Sequence, residues 1–291
     1  MPQQEITLPM PWGSLGGSLL LPEGPGPFTV ALVVAGAGPT DRDGNNPQLP
    51  VRYDNLLLLA QALAERGMAS LRYDKRGVGA SPVPGLGEDA LRFDHLVDDA
   101  EALALHLLAD ARFNDLVLVG HSEGALVAAL VAGRVPAAAL ACLAGAAERA
   151  STLMREQIQR VMPPDLSLAA TAALDALDAE LPAEDVADEL ALLFRPSVQP
   201  YLISWFRHHP AQVLAALDVP VLLVHGGADA QVPVAHAERL RAARPDARLR
   251  IVDGMDHLLA VGGDMRPGVR AVAEEMRAWL DVPAPATSAA P

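Results

Sequence analysis

A chain of 291 residues, 51% hydrophobic and 20% charged, is long enough to bury a sizeable core, as one large domain with an insertion or as two small ones. Its 22 lysines and arginines against 36 aspartates and glutamates leave a formal charge of -14, which repels nucleic acid and anionic membranes and argues against both as partners. The single cysteine, Cys142, excludes an internal disulfide and a cysteine-built zinc centre, and inside the apolar run Ala139–Leu143 it reads as a small buried hydrophobe.

Met1–Met10 carries Glu5 and neither Lys nor Arg, and no long apolar stretch follows, so no secretory signal is read there. No run approaches the roughly 20 apolar residues of a membrane span, and the expected location is cytoplasmic. Gln4–Met10 and Ser14–Leu21 predict a β-hairpin joined at Pro11–Gly13. Short apolar runs follow at Val30–Ala35, Ala69–Tyr73, Leu116–Val119, Ala139–Leu143, Val221–Val224 and Arg248–Val252. Most lack a polar alternate, the pattern of parallel strands covered on both faces. Amphipathic stretches at Asn55–Arg66, Leu91–Leu108, Gly124–Gly133, Val234–Ala243 and Val269–Leu280 predict intervening helices. The alternation predicts an α/β fold with a mostly parallel eight-stranded sheet flanked by helices.

Ala146–Leu217 breaks this rhythm: it has no strand pattern and is punctuated by Pro163–Pro164, Pro182, Pro196 and Pro200. The expected organisation is a core built from 1–145 and 218–281, a helical lid inserted at 146–217, and a disordered tail at 282–291. The acidic stretch Thr171–Leu193 contains no histidine and reads as a solvated helical face rather than a metal site.

The strand Leu116–Val119 runs into Gly120–His121–Ser122–Glu123–Gly124, and a helical Ala-Leu-Val pattern follows. This is G-x-S-x-G in a strand–turn–helix setting, where backbone crowding on either side of the serine demands glycine at Gly120 and Gly124. A serine at its free pKa is a poor nucleophile and needs a base, itself oriented by a carboxylate. In this setting the acid and then the histidine follow in the chain, each just past a strand. Asp229 follows Val221–Val224 on a glycine-rich loop, and His257 follows Arg248–Val252. Among the eight histidines, His95, His106 and His236 fall on predicted helices, and His121 lies inside the turn pointing away from the serine. His225 ends a strand, while His208 and His209 belong to the insertion as surface or pocket-wall residues. Asp253 and Asp256 are too close to His257 to be its partner, and Asp256 is expected to cap a following helix. Two backbone N–H groups should face the developing oxyanion: that of Glu123, and one from Ala35–Gly36–Ala37–Gly38–Pro39, with Ala37 preferred over Gly36 or Gly38. Metal-ligand spacings and nucleotide-binding glycine motifs are lacking, so no cofactor is expected.

Taken together, residues 5–281 resemble an α/β-hydrolase of the bacterial carboxylesterase or serine-aminopeptidase-like type. Besides the serine turn, the resemblance rests on Ala35–Arg42, on Gly-Gly-Ala-Asp and Gly-Met-Asp-His, and on Asp74–Ser81, which is similar to the family's structural D-x-R-G-x-G-x-S turn. One departure stands out: Ala35 occupies the place where many relatives carry the histidine of a His-Gly pair. The resemblance implies a serine hydrolase cleaving small carboxylic esters, with peptidase, amidase or thioesterase activity on the same three residues as alternatives. A non-catalytic receptor on this scaffold would need no intact Ser122, Asp229 and His257.

Overall fold

The computed structural model describes residues 1–281, and the tail expected at 282–291 lies outside the described residues. The opening hairpin pairs β1 (Gln3–Met10) antiparallel with β2 (Gly13–Leu20). The later strands are β3 (Phe28–Val34), β4 (Ala69–Tyr73), β5 (Phe113–His121), β6 (Ala139–Leu143), β7 (Val221–Gly226) and β8 (Arg248–Val252). They form one 8-stranded sheet in the order β1-β2-β4-β3-β5-β6-β7-β8. The β1–β2 and β2–β4 pairings are antiparallel and the remaining five are parallel.

The central strands bury both faces, and the period of two decides which core each side chain enters. In β5, Leu116 and Leu118 pack on one side of the sheet while Val117 and Val119 pack on the other. Leu140 and Cys142 against Ala141 and Leu143 in β6, and Leu223 against Leu222 and Val224 in β7, repeat the division. A fully buried Leu or Val of this kind contributes about 1.5–3 kcal/mol. The helices α1 (Asn55–Ala64), α2 (Phe93–Leu108) and α3 (Glu123–Ala132) connect strands, α2 and α3 covering the first face and α1 the second.

Between β6 and β7 the regular elements are all helices. They include α4 (Ala150–Val161), α5 (Pro164–Asp178), α6 (Ala191–Phe194), α7 (Gln199–Phe206) and α8 (Pro210–Ala215). Phe194, Phe206, Leu174 and Leu177 centre a core of this segment's own. Some of the acidic residues on its outer surface pair with arginines, Asp175 with Arg155 and Glu180 with Arg207. α9 (Ala235–Ala243) and α10 (Met265–Leu280) complete the fold, α10 beside α1. No helix among the described residues is long and apolar enough to cross a membrane.

β3 has β4 on one side and β5 on the other, so the connections leaving these strands diverge. Such a reversal opens a crevice above the carboxyl ends of the two strands, which is where open α/β sheets bind ligands. Ala35–Pro39 and Gly120–Gly124 both emerge there.

Candidate active site

Ser122 sits at the turn between β5 and α3 with φ 56° and ψ -120°, a strained conformation for a residue with a Cβ. The turn is so tight that a Cβ on Gly120 would strike the Gly124 carbonyl, and one on Gly124 would strike the Val34 carbonyl. The Ser122 amide donates to the Leu143 carbonyl at 2.9 Å, fixing the turn to the end of β6. α3 begins at Glu123, whose own amide has no carbonyl one turn back and so remains available at the positive end of the helix.

The two partners expected from the sequence arrive from the ends of β7 and β8. Ser122 Oγ lies 3.0 Å from His257 Nε2, and His257 Nδ1 lies 2.8 Å from Asp229 Oδ2. The other carboxylate oxygen, Oδ1, accepts the amides of Gln231 at 2.9 Å and Val232 at 2.8 Å. Burial alone would raise the Asp229 carboxyl, but His257 and the Val232 amide outweigh it and hold it below the ordinary value. Asp229 therefore stays ionised and accepts from Nδ1, which leaves Nε2 free to accept the serine proton.

Two further buried histidines brace this arrangement. His121 points away from Ser122, as expected, and its Nε2 donates to the His257 carbonyl at 2.7 Å. Burial pushes its pKa down to about 4, so it remains neutral through physiological pH. His225 Nε2 donates to the Val232 carbonyl at 2.8 Å and stands 3.5 Å from Asp229 Oδ2. Burial lowers its pKa as well. Cys142 is buried, as its apolar run suggested, with its thiol pushed up to about 12 by that burial.

One expectation needs correction. Asp256 caps no helix: its Oδ1 accepts the amides of Leu258 at 3.0 Å and Ala260 at 2.9 Å, tightening the loop that carries His257. The helix that follows is α10, and its cap is Asp264, which accepts the Arg266 amide at 3.0 Å. His208 and His209 do not line the cavity above Ser122, whereas His95 does. That cavity, about 700 Å³, is walled by Ser122, His257 and the Ala37–Pro39 loop on one side. Leu153, Met154, Leu192, Leu193 and Trp205 of the helical segment face it, while Phe206 belongs to that segment's own core.

The turn after β4 is structural in the way its resemblance implied. Asp74 binds the Arg42 guanidinium and the Ala80 amide, and Ser81 Oγ donates to the Asp74 carbonyl at 2.7 Å. Lys75 of the same turn does something that sequence reasoning missed. Its Nζ donates to Glu123 Oε1 at 2.7 Å and also to the Gly36 carbonyl. Tyr201 of α7 donates its phenol proton to Glu123 Oε2 at 2.6 Å. A lysine at the x of D-x-R-G was the available sequence signal; Tyr201 gave none.

A sheet of this order, with its polar groups gathered above the β3–β5 crevice, is that of an α/β-hydrolase. A family model described as serine aminopeptidase, S33, matches residues 51–261, and the chain belongs to that family. The chain is similar to the esterase EstD of Thermotoga maritima, 25% identical over 264 residues that make up 89% of this chain and 60% of EstD, so it spans less than two thirds of that relative. It is also similar to a non-heme haloperoxidase of Rhodococcus erythropolis, 29% identical over 233 residues, 70% of this chain and 80% of that one. Among solved structures, Est1E from Butyrivibrio proteoclasticus shares the fold with a TM-score of 0.65 at 18% identity, over 95% of this chain and 97% of the other.

Proposed function

We propose that the protein is a serine hydrolase that cleaves small carboxylic esters by acyl transfer. The observation that carries the reading is the continuous hydrogen-bonded chain Ser122–His257–Asp229, with spacings of 3.0 and 2.8 Å. Ser122 Oγ attacks the ester carbonyl carbon while its proton passes to His257 Nε2. The tetrahedral oxyanion is met by the amides of Glu123 and Ala37. Collapse breaks the bond to the alkoxy oxygen, which leaves as the alcohol with the proton from His257. Water, deprotonated by His257, then attacks the acyl-serine, and His257 returns that proton to Ser122 Oγ as the carboxylic acid leaves. Asp229 holds the imidazole in the tautomer that presents Nε2 to Ser122. No metal or organic cofactor enters these steps. The segment 146–217 is read as a lid on the core of 1–145 and 218–281, because its apolar side chains face the cavity above Ser122. A cytoplasmic location and the exclusion of nucleic acid and membrane as partners rest on the sequence alone.

The family's peptidase description raises a second reading, in which a cavity carboxylate would hold a substrate ammonium. The carboxylates that line the cavity are already engaged: Glu88 with Arg195 and Ser197, Glu123 with Lys75 and Tyr201, and Glu148 with Arg239 at 3.4 Å. This favours a neutral ester. Fluorophosphonate should label wild-type protein at Ser122, and 4-nitrophenyl esters should be turned over faster than aminoacyl 4-nitroanilides. Ser122→Ala should abolish both labelling and turnover, with kcat reduced on the order of 10⁶. An unlabelled wild type, or appreciable turnover by clean Ser122→Ala, would send the assignment elsewhere.

A further inference from the structure

We infer that Lys75 is a positioning residue that sets both halves of the oxyanion hole, and that Tyr201 ties the helical segment to the same device. This rests on the acyl-transfer reading above. The two proposed donors, the amides of Glu123 and Ala37, belong to loops that leave different strands, β5 and β3. Their strands pair directly up to Val34↔Gly120, which brings the two loops side by side. Lys75, from a third loop after β4, touches both.

On one side its ammonium holds the Gly36 carbonyl. That carbonyl and the Ala37 N–H share one peptide plane. The bond is trans, since Gly26–Pro27 is the cis peptide recorded among the described residues, so the two groups point in opposite directions. Anchoring the Gly36 oxygen on Lys75 therefore aims the Ala37 N–H away from Lys75. On the other side Lys75 binds Glu123 Oε1 at 2.7 Å, and Tyr201 binds Oε2 at 2.6 Å. Both carboxylate oxygens are held, which restricts rotation of the first residue of α3, the one whose amide is the other donor. The Lys75 and Glu123 side chains are 6% and 1% exposed, so their pairing is little screened by solvent. Desolvating two ions costs much of what their attraction returns, which makes such a pair a weak means of stabilising a fold. A shared anchor for two catalytic amides gives it a different use.

The test separates positioning from folding and from substrate contact. Lys75→Met keeps the apolar stem and removes the anchor. Rates are expressed per active site titrated with fluorophosphonate, so misfolded protein does not count. A displacement of about 1 Å in a catalytic group costs on the order of 100-fold. Lys75→Met should therefore lower kcat by roughly 10–100-fold with KM changed less than about threefold. It should weaken binding of a trifluoromethyl ketone, which forms a tetrahedral oxyanion adduct, by a similar factor. If the unpaired Glu123 carboxylate prevents folding, Lys75→Met/Glu123→Gln removes both charges and should show the same kcat and inhibitor losses. Tyr201→Phe should lower kcat by a smaller factor, and combined with Lys75→Met it should add less than its own separate loss. A lowered thermal midpoint with kcat per titrated site unchanged would overturn the inference, as would a loss confined to KM. Failure of wild-type labelling would instead overturn the hydrolase reading itself.

Discussion

Replacing Asp229 by asparagine leaves the size of the side chain nearly unchanged but forces a choice between its two ends. At one end Oδ1 accepts two backbone amides, from Gln231 and Val232, at 2.9 and 2.8 Å. If the amide NH₂ were turned toward them, two buried donors would face donors, at a cost of about 1–3 kcal/mol for each unmet group. The carboxamide oxygen therefore stays with the backbone and the NH₂ faces His257 Nδ1, where Oδ2 had accepted at 2.8 Å. His257 must then accept at Nδ1 and carry its proton on Nε2, which is the wrong tautomer to receive the Ser122 proton. In a Ser-His-Asp arrangement this error costs ~10⁴ in kcat, equivalent to about 5 kcal/mol of transition-state stabilisation. Stopped-flow hydrolysis of a 4-nitrophenyl ester, normalised to folded protein by its urea-melting amplitude, measures the effect. An Asp229→Asn enzyme within tenfold of wild type would refute the tautomer argument and reopen the choice of acid.

His121 makes a prediction about acid stability. Folded, it stays neutral to about pH 4, whereas in the unfolded chain it titrates near 6.5. Between those values the unfolded chain binds the extra proton, so stability is lost as pH falls through the window, by about 3 kcal/mol in full. Between pH 7.5 and 4.5, wild type should lose about 2–3 kcal/mol more than His121→Asn in urea melts; equal losses would contradict this account. Gly120→Ala places a Cβ against backbone of the α3 start, so it should abolish titratable sites or lower the thermal midpoint by many degrees. A variant with wild-type melting and turnover would show the turn to be looser than described. Each methylene that the cavity buries should raise kcat/KM about fourfold, from ~0.8 kcal/mol of transfer energy. A flat profile from acetyl to octanoyl esters would remove the acyl chain from that cavity.

Much of this architecture was legible because it rests on local rules. Runs such as Val30–Ala35 and Ala139–Leu143 lack polar alternates, and only a strand covered on both faces tolerates that. The G-x-S-x-G turn and the order Ser122, Asp229, His257 point to the same three residues that the fold joins by hydrogen bonds. Boundaries failed where sequence and packing disagree. β5 begins at Phe113, because pairing of Phe113 with Phe28 carries the strand back through polar Asn114 and Asp115. α10 begins at Met265 rather than Val269, since Pro267 is tolerated in a first turn and Gly268 passes too close to the Leu259 carbonyl to carry a Cβ. The contacts of Lys75 and Tyr201 were illegible for another reason. Glu123 meets them across separations of 48 and 78 residues, and no periodicity encodes a pairing of that range.

The attachment of the helical segment has a consequence for how such a protein can diversify. It leaves the end of β6 and rejoins at the start of β7, yet those strands hold each other directly, in register from Leu140↔Val221 to Leu143↔Val224. Their pairing does not depend on the length of chain between them, and doubling a connection adds only about 0.6 kcal/mol of closure entropy. A lineage can therefore lengthen, shorten or replace the roof of the cavity while inheriting the floor intact. On the proposed reading, recognition of the acyl group and the chemistry performed on it fall on separately replaceable stretches of one gene. The phenol of Tyr201 is among the contacts that a transplanted roof must supply anew, with those of Ser204 to the Phe93 amide and of Arg195 to Glu88.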